Sequence, residues 1–89
     1  MKIVFDPAKD AINQKRHGVS LALAESFEWE TSVLREDDRT AYGEQRFEAT
    51  GFIGDQIYVL VFCLRGEEIR PISLRKALPR EARRYANHN

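Results

Sequence analysis

The hydrophobic and polar positions of the chain alternate between helical and extended spacing, and they predict eight short elements. An extended start at residues 2–5 leads into a helix at about 7–16, which begins with Asp6-Pro7 and ends before Gly18. A second short helix is predicted at about 21–28. Four strands are expected at residues 31–36, 45–53, 56–64 and 68–76, and Pro79 begins a terminal helix.

The strands differ in how much of their surface the pattern predicts to be buried. Residues 56–64 are apolar at odd and even positions, which is typical of a central strand covered on both sides. Residues 45–53 are apolar on one side and polar on the other until Phe52 breaks the pattern. Pro71 cannot donate a backbone hydrogen bond, so we expect an edge position or a β-bulge there. Residues 37–43 are expected to form a polar, exposed connection.

The order of elements, β-α-α-β-β-β-β-α, predicts the fold class. Short links between successive strands favour an antiparallel sheet, with two N-terminal helices and one C-terminal helix that cover mainly one face. This is an α+β fold. A chain of 89 residues has material for one hydrophobic core, so residues 1–89 are predicted to form a single domain.

The composition is that of an ordinary soluble protein, with 43% hydrophobic and 31% charged residues. The longest apolar run, residues 57–64, is too short to span a membrane, and no secretory signal is visible. Cys63 is the single cysteine, and the histidines and carboxylates form no ligand pattern, so neither a disulfide nor a metal site nor a cofactor is expected. We therefore expect a cytoplasmic protein.

The charge of the chain is zero in total but uneven in distribution. Residues 1–64 carry seven Lys or Arg and eleven Asp or Glu, whereas residues 65–89 carry seven and three. The C-terminal third therefore has a net charge of plus four. Six of its seven cations are arginines, whose planar guanidinium suits phosphate, so this segment is a candidate surface for an anionic ligand. The alternative is a set of solvated side chains.

Short motifs follow one another over nearly the whole chain, and their combination is specific. They are Phe5-Asp6-Pro7-Ala8-Lys9; Asn13 with Arg16-His17-Gly18-Val19; Gly43-Glu44-Gln45-Arg46-Phe47; Arg65-Gly66 with Ile69-Arg70-Pro71-Ile72-Ser73-Leu74-Arg75-Lys76-Ala77; and Arg80-Glu81 with Arg83-Arg84-Tyr85. In this order they resemble the BrnT toxin family. Two positions depart from the family pattern. Arg16 stands where lysine is common, and Pro71 stands where an aliphatic residue is usual, which is expected to alter the strand that carries the nearby arginines.

The resemblance implies the toxin of a bacterial type II toxin–antitoxin pair. It implies a RelE-like fold and a metal-independent endoribonuclease activity that acts on RNA and inhibits translation. It also implies a hetero-oligomer with a BrnA-type ribbon-helix-helix antitoxin, which neutralises the toxin. The pair is then expected to bind operator DNA only through the antitoxin. An alternative from a different class is a non-catalytic partner and co-repressor of a ribbon-helix-helix protein.

Metal-independent cleavage of RNA requires a base, an acid and a group that stabilises the extra charge on phosphorus. Arg75 and Arg70 lie on the strand that the resemblance places in the binding face, and we predict that they stabilise this charge. The alternative for Arg75 is a surface cation that contacts the antitoxin or Glu81. His17 is the candidate acid or base, although a histidine before Gly18 can also cap the helix end.

The last helix supplies the remaining candidates. Glu81 and Tyr85 are four residues apart and share one side of this helix, so Glu81 is a candidate base and Tyr85 a candidate contact to phosphate or to a nucleobase. The alternatives are a surface glutamate paired with arginines of the helix and a tyrosine that packs the helix on the sheet. Three further cations are predicted to bind RNA: Arg46, Lys76 and Arg80.

Other chemically distinctive residues are interpreted as structural. Cys63 lies in the most apolar strand with no basic cluster expected nearby, so we predict an inert thiol. The aromatic residues Phe27, Trp29 and Phe62 are predicted to belong to the core or to an interface. His88 is expected to be disordered, because it lies next to the C-terminal residue.

Overall fold

The computed structural model describes residues 2–37 and 45–88 of the chain. The strands are β1 (Lys2–Ile3), β2 (Val33–Asp37), β3 (Arg46–Ile53), β4 (Gln56–Arg65) and β5 (Glu68–Lys76); the helices are α1 (Pro7–His17), a 3₁₀ helix (Leu21–Ser26) and α2 (Pro79–His88). The predicted order of elements is confirmed. Most of the predicted connection, residues 38–44, lies outside the described residues. Within those residues, no helix has the length and apolar character needed to cross a membrane.

The five strands form one mixed sheet in the order β1-β5-β4-β3-β2. Strands β2 to β5 pair antiparallel as predicted, but β1 pairs parallel with β5, so the expectation of a purely antiparallel sheet was wrong. Strands β1 and β5 are the first and the last strand of the chain, and both helices of the N-terminal half and three strands lie between them. No turn therefore links them directly, and the sequence gives no local signal of their pairing. Strand β4 is central, in agreement with its two-sided apolar pattern.

The first helix follows its sequence signals closely. The carboxylate of Asp6 accepts a hydrogen bond from the backbone N–H of Ala8 at 2.9 Å, and Pro7 is the first helical residue. Gly18 ends the helix in the left-handed region at φ 70°, where a residue with a Cβ would be strained. The next helix is a 3₁₀ helix that ends at Ser26, so it is shorter than the predicted helix at about 21–28.

The hydrophobic core lies between the 3₁₀ helix, with the residues that flank it, and one face of the sheet, which we call the core face. Leu60 and Leu74 in the sheet and Leu21 in the 3₁₀ helix are fully buried. The ring of Trp29 packs edge-on against Phe27 and Phe62, with centroid distances of 4.8 and 5.3 Å. The prediction that these aromatic residues belong to the core is confirmed.

A buried amide joins α1 to the outer side of β5. Asn13 donates to the carbonyl oxygens of Val19 and Leu74 at 2.8 and 2.9 Å, and its Oδ1 accepts from the N–H of Leu74 at 3.0 Å. Strand β1 pairs with Glu68 and Ile69, so among the described residues no strand pairs with Leu74 on this side. Asn13 takes the place of that partner and fixes the end of α1 relative to the sheet.

The opposite surface of the sheet, which we call the open face, carries most of the charged strand residues. Its members include Arg35, Arg46, Glu48, Thr50, Phe52, Val59, Val61, Cys63, Arg70 and Arg75. Helix α2 packs at one margin of this face, where Phe52 meets the ring of Tyr85 edge-on at 5.7 Å. The expectation that the helices cover mainly one face was therefore wrong for α2. The apolar side chain of Phe52, which breaks the alternation of β3, provides the contact that draws α2 to this side.

A β-bulge in β5 determines which side chains reach the open face. Val61 pairs with Ser73, whereas Phe62 pairs with Pro71, so Ile72 is the extra residue. The expectation of an edge position or a bulge at Pro71 is confirmed as a bulge. Residues five apart in a regular strand point to opposite faces. The bulge reverses this relation, and Arg70 and Arg75 both lie on the open face.

Candidate active site

A two-pronged ion pair joins the end of β5 to the start of α2. Nη1 and Nη2 of Arg75 donate to Oε1 and Oε2 of Glu81 at 2.7 and 2.9 Å. Oε1 also accepts from the backbone N–H of Leu78 at 2.8 Å, as a glutamate in the first turn of a helix commonly does. Glu81 is thus held from two sides, and it holds the guanidinium of Arg75 in one orientation.

The pair fixes the charge state of both partners. The hydrogen bonds from Arg75 are the main cause that lowers the pKa of Glu81 to about 2, with the N–H of Leu78 adding to the effect. The same hydrogen bonds raise the pKa of Arg75. At neutral pH, Glu81 is therefore a carboxylate with little affinity for a proton. This makes it a weak general base and a strong partner for a guanidinium.

His17, the last residue of α1, lies within the electrostatic influence of this pair. Burial is the main cause that lowers its pKa below the ordinary value of 6.5, and the charges of Arg75 and Arg16 lower it further. The imidazole is therefore mostly neutral at neutral pH and can accept a proton. Of the predicted site residues, Arg75 and Glu81 are thus in direct contact, and the charge of Arg75 acts on His17.

Tyr85 anchors α2 and borders a cleft between this helix and strands β2 and β3. Its hydroxyl donates to the carbonyl oxygen of Thr31 at 2.7 Å, which agrees with the packing alternative for this residue. The cleft is lined by Val33, Arg35, Glu48, Thr50, Glu81, Arg84, Tyr85 and His88. On the strand side of the cleft, Nη2 of Arg35 in β2 lies 3.1 Å from Oε1 of Glu48 in β3.

The cleft includes residues that sequence reasoning missed or discounted. Arg35 and Arg84 were not among the candidates, and His88 was expected to be disordered. That expectation was wrong, because His88 is the last residue of α2 and lines the cleft. The helical spacing of Glu81, Arg84, Tyr85 and His88 places them on one side of the helix, and this spacing was the available signal.

Arg70 lies at the other end of the open face. The register joins Arg70 to Cys63 in β4 and Cys63 to Arg46 in β3, so the two arginines flank the buried thiol. The expectation that no basic cluster lies near Cys63 was therefore wrong. Val59, the strand partner of Arg75, is four residues from Cys63 along β4. Four residues of a strand span about 13 Å, so Arg70 is separated from the ion pair.

The two remaining predicted cations, Lys76 and Arg80, adjoin Arg75 and Glu81 in sequence but are not part of their ion pair. Lys76 pairs in register with Tyr58, a residue of the hydrophobic core, and so lies on the core-face side of β5. Arg80 is exposed in the first turn of α2 next to Glu81. The structure thus places Arg75, Glu81, Tyr85 and His17 at one end of the sheet, and Arg46 with Arg70 at the other.

Arginine side chains on an open sheet face are suited to the phosphates of a nucleic acid, and comparison with known families agrees with this class of ligand. The family described as "Ribonuclease toxin, BrnT, of type II toxin-antitoxin system" matches residues 5–81. The protein is thus a ribonuclease toxin of a type II toxin–antitoxin system, which has RNA as its substrate and an antitoxin as its partner. The chain belongs to the BrnT family. Among curated proteins, comparison of sequences finds no match to the chain.

The matched range adds information on individual residues. It includes His17, Arg70, Arg75 and Glu81, and it ends before Tyr85. The resemblance stated from the sequence motifs is confirmed for the family. The match concerns the family as a whole and assigns no role to a single residue.

Proposed function

We propose that the chain is a metal-independent endoribonuclease that inhibits translation by cutting RNA at the Arg75 end of the open face. The observation that carries the proposal is the ion pair itself. The two carboxylate oxygens of Glu81 bind Nη1 and Nη2 of Arg75 at 2.7 and 2.9 Å, in the arrangement that two oxygens of a phosphate adopt on a guanidinium. Glu81 holds the guanidinium of Arg75 in a fixed orientation, and the N–H groups of Arg75 that Glu81 does not bind remain to contact a phosphate beside the pair.

The electrostatics support a division of roles. Arg75 remains charged and stabilises the negative charge that develops on phosphorus. His17, whose pKa is lowered, takes the proton from the 2′-hydroxyl as its oxygen bonds to phosphorus, and the bond from phosphorus to the 5′-oxygen breaks as this oxygen takes a proton from water. Glu81, which has little affinity for a proton at neutral pH, serves as a positioning residue for Arg75. Tyr85 positions α2 through its hydrogen bond to Thr31.

Metal independence is supported by the state of the carboxylates near the site. Glu81 binds Arg75, and Glu48 lies 3.1 Å from Arg35, so each of these two carboxylates already has a cationic partner. A divalent cation would have to displace an arginine from either of them. Activity in the presence of a chelator is the expected result.

The family resemblance supports the further features of the proposal. The partner is a BrnA-type ribbon-helix-helix antitoxin that neutralises the toxin and supplies the contact to operator DNA. Residues 1–89 form one toxin domain with a RelE-like fold, and the pair acts in the cytoplasm. The order of three antiparallel pairings after two N-terminal helices is compatible with such a fold.

A second candidate is a non-catalytic partner of the antitoxin that acts only as a co-repressor. Two observations favour it: Glu81 has little affinity for a proton, and the hydroxyl of Tyr85 is engaged by Thr31. On this hypothesis Arg75 contacts the antitoxin rather than RNA. The two candidates differ in whether the isolated chain changes RNA.

The test is cleavage of RNA by the purified chain, free and on ribosomes, in buffer with EDTA. The proposal predicts that the wild type cleaves RNA. It predicts that Arg75→Ala cleaves RNA at a rate at least about 100-fold lower. Arg83→Ala is a matched control, because Arg83 is exposed in α2 and lies on the other side of the helix from Glu81. Intact RNA with the wild type, or equal rates for wild type and Arg75→Ala, would contradict the proposal.

A further inference from the structure

The second basic cluster of the open face is separate from the ion pair and borders a cavity of its own. Arg46, Cys63 and Arg70 form one row across strands β3, β4 and β5. The cavity beside this row extends to the segment between β1 and α1. Its lining includes the cations Lys9, Arg46, Arg65 and Arg70 and a single carboxylate, Asp6.

The balance of charge in this cavity favours an anion. One oxygen of Asp6 is used to cap α1 through the N–H of Ala8, and Glu68 accepts from Nη2 of Arg70 at 2.9 Å. Asp37 is the strand partner of Arg46 in β2. Even with Glu68 and Asp37 counted beside the lining residues, the described residues around the cavity hold more cations than carboxylates. An anion bound there meets a positive local field that the zero total charge of the chain does not reveal.

A single atom points more directly to a ligand. Nε of Arg70 is buried from water and has no hydrogen-bond partner among the described residues. A buried donor without an acceptor is energetically unfavourable, and such atoms commonly face a ligand or an ordered water. The Arg70 side chain as a whole is 38% exposed and borders the basic cavity, so a rotation of this side chain can bring the unsatisfied Nε–H to an oxygen of a bound phosphate.

The position of the cluster relates it to the site at Arg75. Because of the bulge at Ile72, Arg70 and Arg75 lie on the same face, and their strand partners in β4 are about 13 Å apart. The side chains of Val61 and Ser73 lie between them and carry no charge. At roughly 3.4 Å per phosphate along one stacked strand, this distance corresponds to about four nucleotides, or fewer in an extended strand.

We propose that Lys9, Arg46 and Arg70 form a second phosphate-binding site, which holds the RNA strand a few nucleotides away from the bond cleaved at Arg75. The inference rests on the proposed ribonuclease function and changes the predicted role of Arg70. Arg70 is then a binding residue for a distant phosphate rather than a catalytic residue. It follows that only an RNA long enough to reach both ends of the open face benefits from it.

The test compares two non-cleavable 2′-O-methyl oligonucleotides, one of two nucleotides and one of eight, for binding to the full chain. For Arg70→Gln we expect about tenfold weaker binding of the longer oligonucleotide and unchanged binding of the shorter one. The slope of log K against log salt for the longer oligonucleotide is expected to fall by about 0.7, the value for one lost contact to a single-stranded phosphate. Arg83→Gln is the matched control and leaves both affinities unchanged.

Arg46→Gln in β3 repeats the test. This variant keeps the pair between Arg70 and Glu68, so its result does not depend on whether the loss of that pair alters the fold. Equal loss of affinity for both oligonucleotides would overturn the inference, because Arg70 would then belong to the cleavage centre. Unchanged affinity for both in Arg70→Gln and Arg46→Gln would also overturn it. A wild type that binds in this length-dependent way but cleaves no RNA contradicts the proposed function alone.

Discussion

The two faces of the sheet have opposite properties although the same strands build both. On the core face, Leu60 and Leu74 are fully buried in the cluster that includes Leu21 and Ala24 of the 3₁₀ helix. On the open face, Arg75 follows Leu74 directly but belongs to an ion pair that a ligand can reach. Successive residues of a strand point to opposite sides, so neighbouring positions serve stability and chemistry separately. Substitutions on the two faces should therefore have effects of different kinds.

The largest effect on stability is expected on the core face. Leu60→Ala removes a fully buried side chain and leaves a cavity, so the free energy of unfolding should fall by about 2–5 kcal/mol. Urea denaturation followed by circular dichroism measures this change. Val61→Ala, at the next position on the open face, is the control and should cost clearly less. Equal losses at the two positions would show that the faces are not distinct.

The next effect concerns the Asn13 amide, which joins α1 to the outer side of β5. Asn13→Ala leaves the N–H and the carbonyl oxygen of Leu74 without their partner in a buried place, which should cost about 1–3 kcal/mol. The same denaturation experiment applies, with Gln14→Ala at an exposed position of α1 as control. If Asn13→Ala is as stable as Gln14→Ala, the amide does not hold α1 on the sheet.

A smaller effect on stability is expected from the ion pair on the open face, and it depends on pH. The pKa of Glu81 is lowered from 4.5 to about 2 in the folded protein, so the pair stabilises the fold above pH 4.5 and loses this effect between pH 4.5 and 2. Because solvent screens the pair, its contribution should be about 1 kcal/mol. The difference in unfolding free energy between wild type and Glu81→Gln should therefore shrink towards zero as the pH falls through this window. A difference that is constant from pH 6 to pH 2 contradicts the assignment.

The smallest effect is a shift in the titration of His17. The charge of Arg75 lowers the pKa of His17, so Arg75→Ala should raise it. Titration of the histidine resonances by NMR measures the pKa directly. Arg16→Ala should raise it less, because the effect of Arg16 is the smaller of the two. No shift in Arg75→Ala would separate His17 from the proposed site.

The sequence predicted the fold where the signal was local. The start of α1 at Asp6-Pro7 and its end before Gly18 follow from the chemistry of these residues themselves, and these predictions are confirmed. The pairing of β1 with β5 joins residues at the two ends of the chain, so no turn between them indicates it. The position of α2 was also missed, although Phe52 interrupts the polar side of β3 at the place where the helix packs.

Sequence reasoning proposed one group of candidate residues, and the structure divides it. The chemistry of arginine, histidine and glutamate indicated Arg75, His17 and Glu81. In the structure, Arg75 contacts Glu81, and its charge acts on His17. The same reasoning placed Arg70 with them, but it lies with Arg46 about 13 Å away along the sheet. Sequence spacing does not reveal this, because the distance depends on register and on a bulge whose position only tertiary pairing sets.

The most direct test of the central claim, that the Arg75 end of the open face cuts RNA, is induced expression of the chain without an antitoxin. Growth and the integrity of total RNA are followed over the first minutes for wild type, Arg75→Ala and Arg83→Ala, each checked for soluble protein. We predict arrested growth with degraded RNA for wild type and Arg83→Ala, and normal growth with intact RNA for Arg75→Ala. Degraded RNA in Arg75→Ala, or intact RNA in the wild type, would contradict the account.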